Sequence, residues 1–375
     1  MSCTIIVLGS QANSLIGFRY KLLEAFVKNG NKVYACAPDA SDAVISKLLN
    51  IGVKYQNIPI SRTGLNPLQD LKNLIKTIKI FKSLSADMIL NYTMKPVIYG
   101  SIAAKLAGIK NIYSMITGLG YSFTSKGFKP KLISIIVTML LRVSLSFNKL
   151  VIFQNPDDEL YFKEHKILTT DKKTVIINGS GVDLDYFQYT QPNETISFLL
   201  IARLIKDKGI VEYVEAAEIV KITYPNIVFS IAGWIDSNPA AIEQQQLDKW
   251  LEKGIIHFLG KLDDVREALK NCSVFVLPSY REGTPRSTLE AMSVGRCIIT
   301  TDVPGCRETV QNNVNGLLVP HKNKEKLAGA IMKLIENPEL IVEMGKASRQ
   351  LAEKKYDVYK VNQDILNAME LKANH

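Results

Sequence analysis

The feature that most constrains this chain is the alternation of short, strongly apolar runs with amphipathic segments of helical period, sustained from end to end. In the first half, 4–8, 32–37, 53–58, 87–91, 111–116, 149–153 and 175–177 read as strands. In the second half the same pattern recurs at 196–201, 227–232, 255–259, 273–277, 297–301 and 317–319. Strands this apolar, each followed by a crossover, make parallel sheets covered on both faces. Thirteen of them are many for one open sheet, so the chain reads as α/β with two doubly wound domains. Periodicity lapses and polar residues collect over 185–194, which predicts Rossmann-like domains at 1–185 and 195–355. The segment 356–375 reads as a helix with no strand after it, a candidate to pack back on the first domain.

Composition narrows the function classes. With 375 residues, 47% hydrophobic and 22% charged, the chain is globular and not disordered. It enters an apolar run at once, with no basic leader, which predicts a cytoplasmic protein without a signal peptide. Five scattered cysteines with no CxxC pair predict reduced thiols and no zinc site. A net charge of +10 calls for an acidic partner. The lysines are dispersed and no RNA- or DNA-reading motif gathers them, so phosphorylated ligands or an anionic membrane surface are expected ahead of nucleic acid. HExxH, GxSxG and a Walker A loop are missing from the sequence, and no DxD element of the sort that holds a metal–diphosphate stands out, so neither metal nor cofactor is expected.

The chemistry concentrates in the run SVFVLPS at 273–279 and the following REGTPRSTLE at 281–290. This reads as a strand, a turn and a helix starting near Pro285, a strand-to-helix junction that presents backbone N–H groups to an anion. Glu282 and Glu290 flank the turn eight positions apart. Acids beside an anion site suit a ligand that brings hydroxyls as well as phosphates, as a sugar nucleotide does. The plainer alternative for either acid alone is a helix cap for Glu282 and an i, i+4 pair with Arg286 for Glu290. A second anion site opens the second domain, where strand 196–201 runs into ARLIKDKG with Arg203 and Lys208. Arginine forks onto phosphate oxygens and lysine adds a point charge. In the first domain GSQANSLIGFR at 9–19 reads as a turn in which Gly9 and Gly17 let backbone approach a substrate, although the spacing is not GxGxxG. Between Lys131 and Arg142 lie ten residues without formal charge, too few to span a bilayer. They form either a core helix or a helix in the membrane interface, with Phe123, Lys126, Phe128, Lys129 and Lys131 at its edge.

On these residues the chain resembles the retaining glycosyltransferases of family 4, which have the GT-B fold of two Rossmann-like domains facing a cleft. Glu282 and Glu290 match the family's E-x7-E, Arg203 and Lys208 its R-x4-K, and GSGVD at 179–183 its first-domain end. SRTGLNP at 61–67, TGLGYSF at 117–123 and AGWIDSNP at 232–239 are similar to stretches of bacterial enzymes that extend undecaprenyl-diphosphate-linked sugars. These include N-acetylgalactosaminyltransferases of the N-glycan pathway and their O-antigen relatives. The resemblance implies a hexosyltransferase that moves GalNAc or a related hexose, with retention, from a UDP-sugar to a polyprenyl-diphosphate-linked saccharide. It also implies an enzyme peripheral to the cytoplasmic face of the membrane. Arg203 and Lys208 would grip the donor diphosphate, Glu290 would accept from the ribose hydroxyls, and Glu282 would contact the transferred sugar. Backbone of Gly283, Thr284, Pro285 and Arg286 would hold the distal phosphate and sugar, and Gly260 and Lys261 would border the uracil. Many family members carry a first-domain histidine on the transferred sugar, yet the first domain's only histidine is His165. Asn91, Thr93 or Lys95 at a strand end, or the Thr117 turn, would fill that role. A UDP-sugar 2-epimerase and a non-catalytic membrane-binding protein are the alternatives.

Overall fold

Thirteen strands form among the described residues of the computed structural model, and every pairing between them is parallel. The described residues are 2–60, 67–119, 128–236 and 238–371. They fall into two units, Met1–Ser180 with Tyr359–His375, and Gly181–Val358.

The first unit holds β1 (Thr4–Leu8), β2 (Lys32–Ala37), β3 (Lys54–Asn57), β4 (Met88–Tyr92), β5 (Asn111–Ile116), β6 (Leu150–Phe153) and β7 (Thr174–Ile176). Their order is β3-β2-β1-β4-β5-β6-β7, so the chain winds outward from β1 and reverses between β1 and β4. The helices are α1 (Ala12–Phe18), α2 (Tyr20–Lys28), α3 (Asp42–Leu49), α4 (Pro67–Leu84), α5 (Ser101–Ala107), α6 (Phe128–Ser146) and α7 (Pro156–Glu164). The second unit holds β8 (Ser197–Ile201), β9 (Val228–Ala232), β10 (His257–Phe258), β11 (Val274–Leu277), β12 (Cys297–Thr301) and β13 (Gly316–Val319), ordered β10-β9-β8-β11-β12-β13. Its helices are α8 (Ile210–Thr223), α9 (Gln244–Glu252), α10 (Arg266–Lys270), α11 (Arg286–Val294), α12 (Lys324–Glu336) and α13 (Pro338–Leu351). The last helix is α14 (Val358–Ala368).

The expected alternation is what the fold uses. Strand β12, Cys-Ile-Ile-Thr-Thr, is buried along its whole length, as a central strand covered by helices on both faces must be. Its threonines survive there because each hydroxyl donates to a carbonyl, Thr300 to Leu277 at 2.7 Å and Thr301 to Ser279.

Two readings of the sequence need correction. The units part between Ser180 and Gly181, inside the GSGVD stretch and ahead of the polar run at 185–194. The Val182 amide donates to Tyr356 O at 2.8 Å and Val182 O accepts from the Val358 amide at 3.0 Å, which ties this segment to the second unit. The polar run is held there as well, with Ser293 Oγ donating to Phe187 O at 2.6 Å and the Thr190 amide to Val294 O at 3.0 Å. Polarity marked an anchored surface segment and not a linker. Second, Gly17 does not frame a turn, because Ala12–Phe18 is helix and Gly17 sits inside it with open space where a Cβ would stand. Only 9–11 bridge β1 and α1. Helix α14 adds Val361, Ile365 and Leu366 to the core beneath β1, β2 and β4, which makes the chain's end part of the first unit.

Candidate functional site

In the second unit the loops that hold the expected site residues leave the carboxyl edge of one parallel sheet, the edge where α/β folds bind ligands. The loop after β8 is clamped by the segment after β9. Leu204 N donates to Trp234 O and Lys206 N to Ala240 O, both at 2.9 Å. This clamp puts Asp236, almost enclosed, against Arg203, whose Nη1 donates to Asp236 Oδ2 at 2.7 Å. Lys206–Lys208 make a single 3-10 turn that ends on Gly209 at φ +70°. A Cβ at Gly209 would come within 2.1 Å of Pro278 O, so glycine alone lets this loop lie on the end of β11. That contact delivers Lys208 to Glu282. Lys208 Nζ pairs with Glu282 Oε1, and Ser279 Oγ donates to the same oxygen at 2.8 Å. The Tyr280 amide, donating to Asp207 O at 2.9 Å, fastens the two loops together.

The far side of Glu282 is equally fixed. Its amide donates to Pro304 O at 3.0 Å, and Gly305, at φ +83°, packs so closely that a Cβ would meet Glu282 O at 2.3 Å. Helix α11 then starts after Pro285, which is extended and whose side chain makes no cap. Its first turn carries the positive end of the helix dipole. Arg286 Nε donates to Glu290 Oε1 at 2.8 Å. The i, i+4 pair weighed as the plain alternative thus exists, but in a largely enclosed place, with the Glu290 side chain 13% exposed. Burial raises the Glu290 carboxyl above its ordinary value, and Arg286 offsets part of this while Asp264 adds to it. Past β9, Gly233 N donates to Gly260 O at 2.8 Å, and Lys261 Nζ stands 5.6 Å from the ring centre of Trp234, a half-exposed indole.

In the first unit the structure redistributes the expected residues. At Gly9 a Cβ would lie 2.3 Å from Tyr92 Oη, so the close approach this glycine permits here is to the Tyr92 side chain. Tyr92 shares a 2.7 Å hydrogen bond with Ser14 Oγ, lies under the Arg19 guanidinium at 5.1 Å, and has its phenol pushed up to about 12 by burial. Asn91 is not at an open strand end. It is fully buried, its amide donating to Ser101 Oγ at 3.2 Å and Tyr113 O at 3.4 Å, because strand alternation sends it beneath the sheet opposite to Tyr92. The Lys95 ammonium is held by Asp70 at 3.3 Å, which also accepts from Tyr99 Oη at 3.0 Å. Thr93 is the member of this stretch left at the edge. Its Oγ1 donates to Ser10 Oγ at 3.0 Å, and it sits at φ +67°, a costly conformation for a β-branched residue. Thr117 follows β5 and is half-buried, while 61–66, 120–127 and Ser237 lie outside the described residues. That removes most of the 61–67 and 117–123 stretches, with Phe123 and Lys126. The side chains of Phe128, Lys129 and Lys131 are likewise outside the description. His165 is exposed and stacks on Tyr161 with ring centres 3.8 Å apart.

Sequence reasoning missed Asp236, Ser279 and Tyr280. The available signal was position, since each follows a strand of the same sheet within a few residues and carries a polar group.

Comparison with known proteins agrees with this geometry. The family model described as "Glycosyl transferases group 1" matches 183–351, and "Glycosyl transferase 4-like" matches 6–155. The chain is 30% identical over 351 residues, 90% of each protein, to the N,N'-diacetylbacillosaminyl-diphospho-undecaprenol alpha-1,3-N-acetylgalactosaminyltransferase of Campylobacter jejuni. It is 26% identical to the UDP-Gal:alpha-D-GlcNAc-diphosphoundecaprenol alpha-1,3-galactosyltransferase of Escherichia coli, covering 79% of this chain and 78% of that one. Among solved structures, sucrose-phosphate synthase from Thermosynechococcus elongatus superposes with a TM-score of 0.81 at 18% identity, covering 98% of both chains. Anabaena Alr3699/HepE in complex with UDP gives 0.77 at 17% identity, covering 99% and 100%. These two likenesses show the shared fold.

Proposed function

The chain belongs to the group 1, type 4-like glycosyltransferases, and from that premise we propose that it moves a hexose from a UDP-sugar to a polyprenyl-diphosphate-linked saccharide with retention. The observation that carries the reading is the Lys208–Glu282 pair, braced by Ser279 where β8 and β11 end. When the sugar leaves, charge develops on the diphosphate, and fixed cations stabilise that state more than the ground state. Arg203 and Lys208 supply those cations. Each is already held in place by an acid, Asp236 or Glu282, so little reorganisation is needed when the donor arrives. The N-terminus of α11 adds oriented dipoles for the distal phosphate. Glu282 accepts from a hydroxyl of the transferred sugar and Glu290 from the ribose. The bond from the anomeric carbon to the acceptor oxygen forms on the face from which the diphosphate departs, through an oxocarbenium-like state, as the bond to the phosphate oxygen breaks and that oxygen takes the acceptor hydroxyl's proton. The first unit holds the acceptor, and the enzyme works at the cytoplasmic face of the membrane in which the acceptor's lipid is dissolved.

The test is transfer from UDP-GalNAc, UDP-GlcNAc, UDP-Gal and UDP-Glc to a short-chain polyprenyl-diphosphate saccharide, with the product anomer read by NMR. We expect an α-linked product from one of them and a raised Tm with that donor. No transfer together with no thermal protection by any uridine nucleotide would overturn the reading. Interconversion of UDP-GlcNAc without acceptor would replace it with a 2-epimerase.

A further inference from the structure

The positive charge of this chain is not spread evenly. Between Asp42 and Asp157 there are fifteen lysines and arginines against two acids, Asp70 and Asp87. That stretch is +13 while the whole chain is +10, so the remainder is net acidic. The fold gathers much of this stretch onto one face of the first sheet. Helices α4, α5 and α6 are its successive crossovers from β3 to β6, and α5 packs against both neighbours.

That face is also unusually apolar. Among the described residues nineteen large apolar side chains are exposed, and eight belong to these three helices. Helix α4 buries Leu74, Ile78 and Phe81 toward the sheet, wholly or in part, yet exposes Leu68, Leu71 and Ile75 at i, i+3 and i+7. Leu68 is 76% exposed. Helix α6 buries Val137, Leu141 and Leu145 and exposes Ile135, Ile136, Met139 and Val143. Leu106 on α5 is exposed as well. A helix covering a core needs one apolar stripe, and these two carry a second one. On α4 the outer row is interleaved with exposed Lys72 and Lys76 and continued by Lys79 and Lys82. Asp70, the acid of α4, is buried against Lys95, so no described carboxylate on α4, α5 or α6 faces outward.

We propose that the outer face of α4, α5 and α6 is a docking surface for an anionic lipid bilayer. Apolar side chains enter the headgroup–acyl boundary while the lysines of α4 meet lipid phosphates. Charge complementarity selects the occupant: a second copy of this chain would bring the same cations, and a nucleic acid would leave the leucines and isoleucines in water. No helix among the described residues is long and apolar enough to cross a membrane, so the contact is one of surface and not of span. The proposal deepens the reading of a lipid-linked acceptor and rests on it for its purpose. Its evidence is separate, since none of these side chains belongs to the transfer site.

The experiment is flotation of the full chain with phosphatidylcholine vesicles, with and without about one-third phosphatidylglycerol, at low and high salt. The native chain should float with the anionic vesicles and lose most of its binding in high salt or on neutral vesicles. Lys72→Glu/Lys76→Glu should lower the bound fraction about tenfold or more, and Leu68→Ser/Leu71→Ser/Ile75→Ser should lower it comparably. All five positions are exposed, and both variants should keep native transfer to the short-chain acceptor, which reports an intact site. Transfer without flotation of the native chain, or variants that float like it, would overturn the docking face and leave the function standing. Flotation with neither transfer nor thermal protection by a uridine nucleotide would keep the face and sink the function. A dimer in solution that the serine variant dissociates would overturn the proposal in favour of self-association. Duplex DNA that competes fully with vesicles and still binds the serine variant would overturn it in favour of nucleic acid.

Discussion

The two units are built alike and differ in what stands at their strand ends. In the second unit that edge is a set of charge pairs: Arg203 with Asp236, Lys208 with Glu282, Arg286 with Glu290. In the first, the corresponding edge is mainly hydroxyls and an aromatic ring. Tyr92 meets Ser14, Thr93 meets Ser10, and one buried guanidinium, Arg19, lies over Tyr92. A parallel sheet offers the same scaffold in both cases, so the difference is chemical. Under the proposed function, the second unit meets a diphosphate with preset cations, and the first meets sugar hydroxyls with donors and acceptors of modest strength.

Substitutions at the charged edge should break this contrast most visibly. Lys208→Ala and Glu282→Gln should each lower kcat by about 10²–10³-fold while circular dichroism and Tm stay near native, on the proposed roles of Lys208 at the departing diphosphate and Glu282 at the transferred sugar. Turnover close to native for either would remove the second unit's claim to the chemistry. Next, Arg203→Lys keeps the charge but loses the fork, and Asp236→Asn weakens the anchor that holds it. Each should cost about tenfold, as the loss of roughly one charge-assisted hydrogen bond, and steady-state kinetics should place the loss in kcat more than in KM. An equal effect on both parameters for Asp236→Asn would mean that it serves only donor binding.

Glu290 offers a pH test. Its carboxyl is raised in the folded chain, so folding favours its protonated form, and the stability this brings is present below the unfolded value and is lost as pH rises through the folded one. Glu290→Gln has no such loss. Its Tm relative to the native chain should therefore climb as pH rises from below the ordinary carboxylate range to 7, and differential scanning fluorimetry across that range would show it. A constant difference would mean that Glu290 is not held against its charge.

The smallest expected effect belongs to the first unit. Thr93→Gly should be more stable than Thr93→Ala by about 1 kcal/mol, because φ +67° suits glycine and strains alanine. Urea midpoints would measure it. If Thr93→Gly also slows transfer, the hydroxyl edge takes part in catalysis and the contrast between the units narrows.

Much of this was legible in the sequence, for identifiable reasons. The strands at 4–8, 32–37, 111–116 and 297–301 begin and end where the apolar runs do, because a strand buried on both faces tolerates few polar residues. Spacing placed Arg203, Lys208 and Glu282 in loops that follow strand ends and Glu290 in the helix beyond, because a strand–turn–helix unit fixes which residues follow the strand. The failures share a different cause. Asn91 and Tyr92 are neighbours, and only the pairing of β4 between β1 and β5 decides which of them turns beneath the sheet. Gly17 looked like the end of a turn, while the packing of Ala12, Ser14 and Leu15 made the segment a helix.

The sequence by itself determined the alternation, the two parallel sheets and the family, and it nominated Arg203, Lys208, Glu282 and Glu290 as candidates, because each is written in local composition or in short spacing. The tertiary structure alone decided the partners. Asp236 meets Arg203 from 33 positions away, and Glu282 meets Lys208 from 74. Glycines at 209 and 305 set how closely the loops approach. The second apolar row of α4 can be told from its core row only once the sheet covers one of them. Partners and faces depend on what the chain brings together across long separations, and no local pattern encodes that.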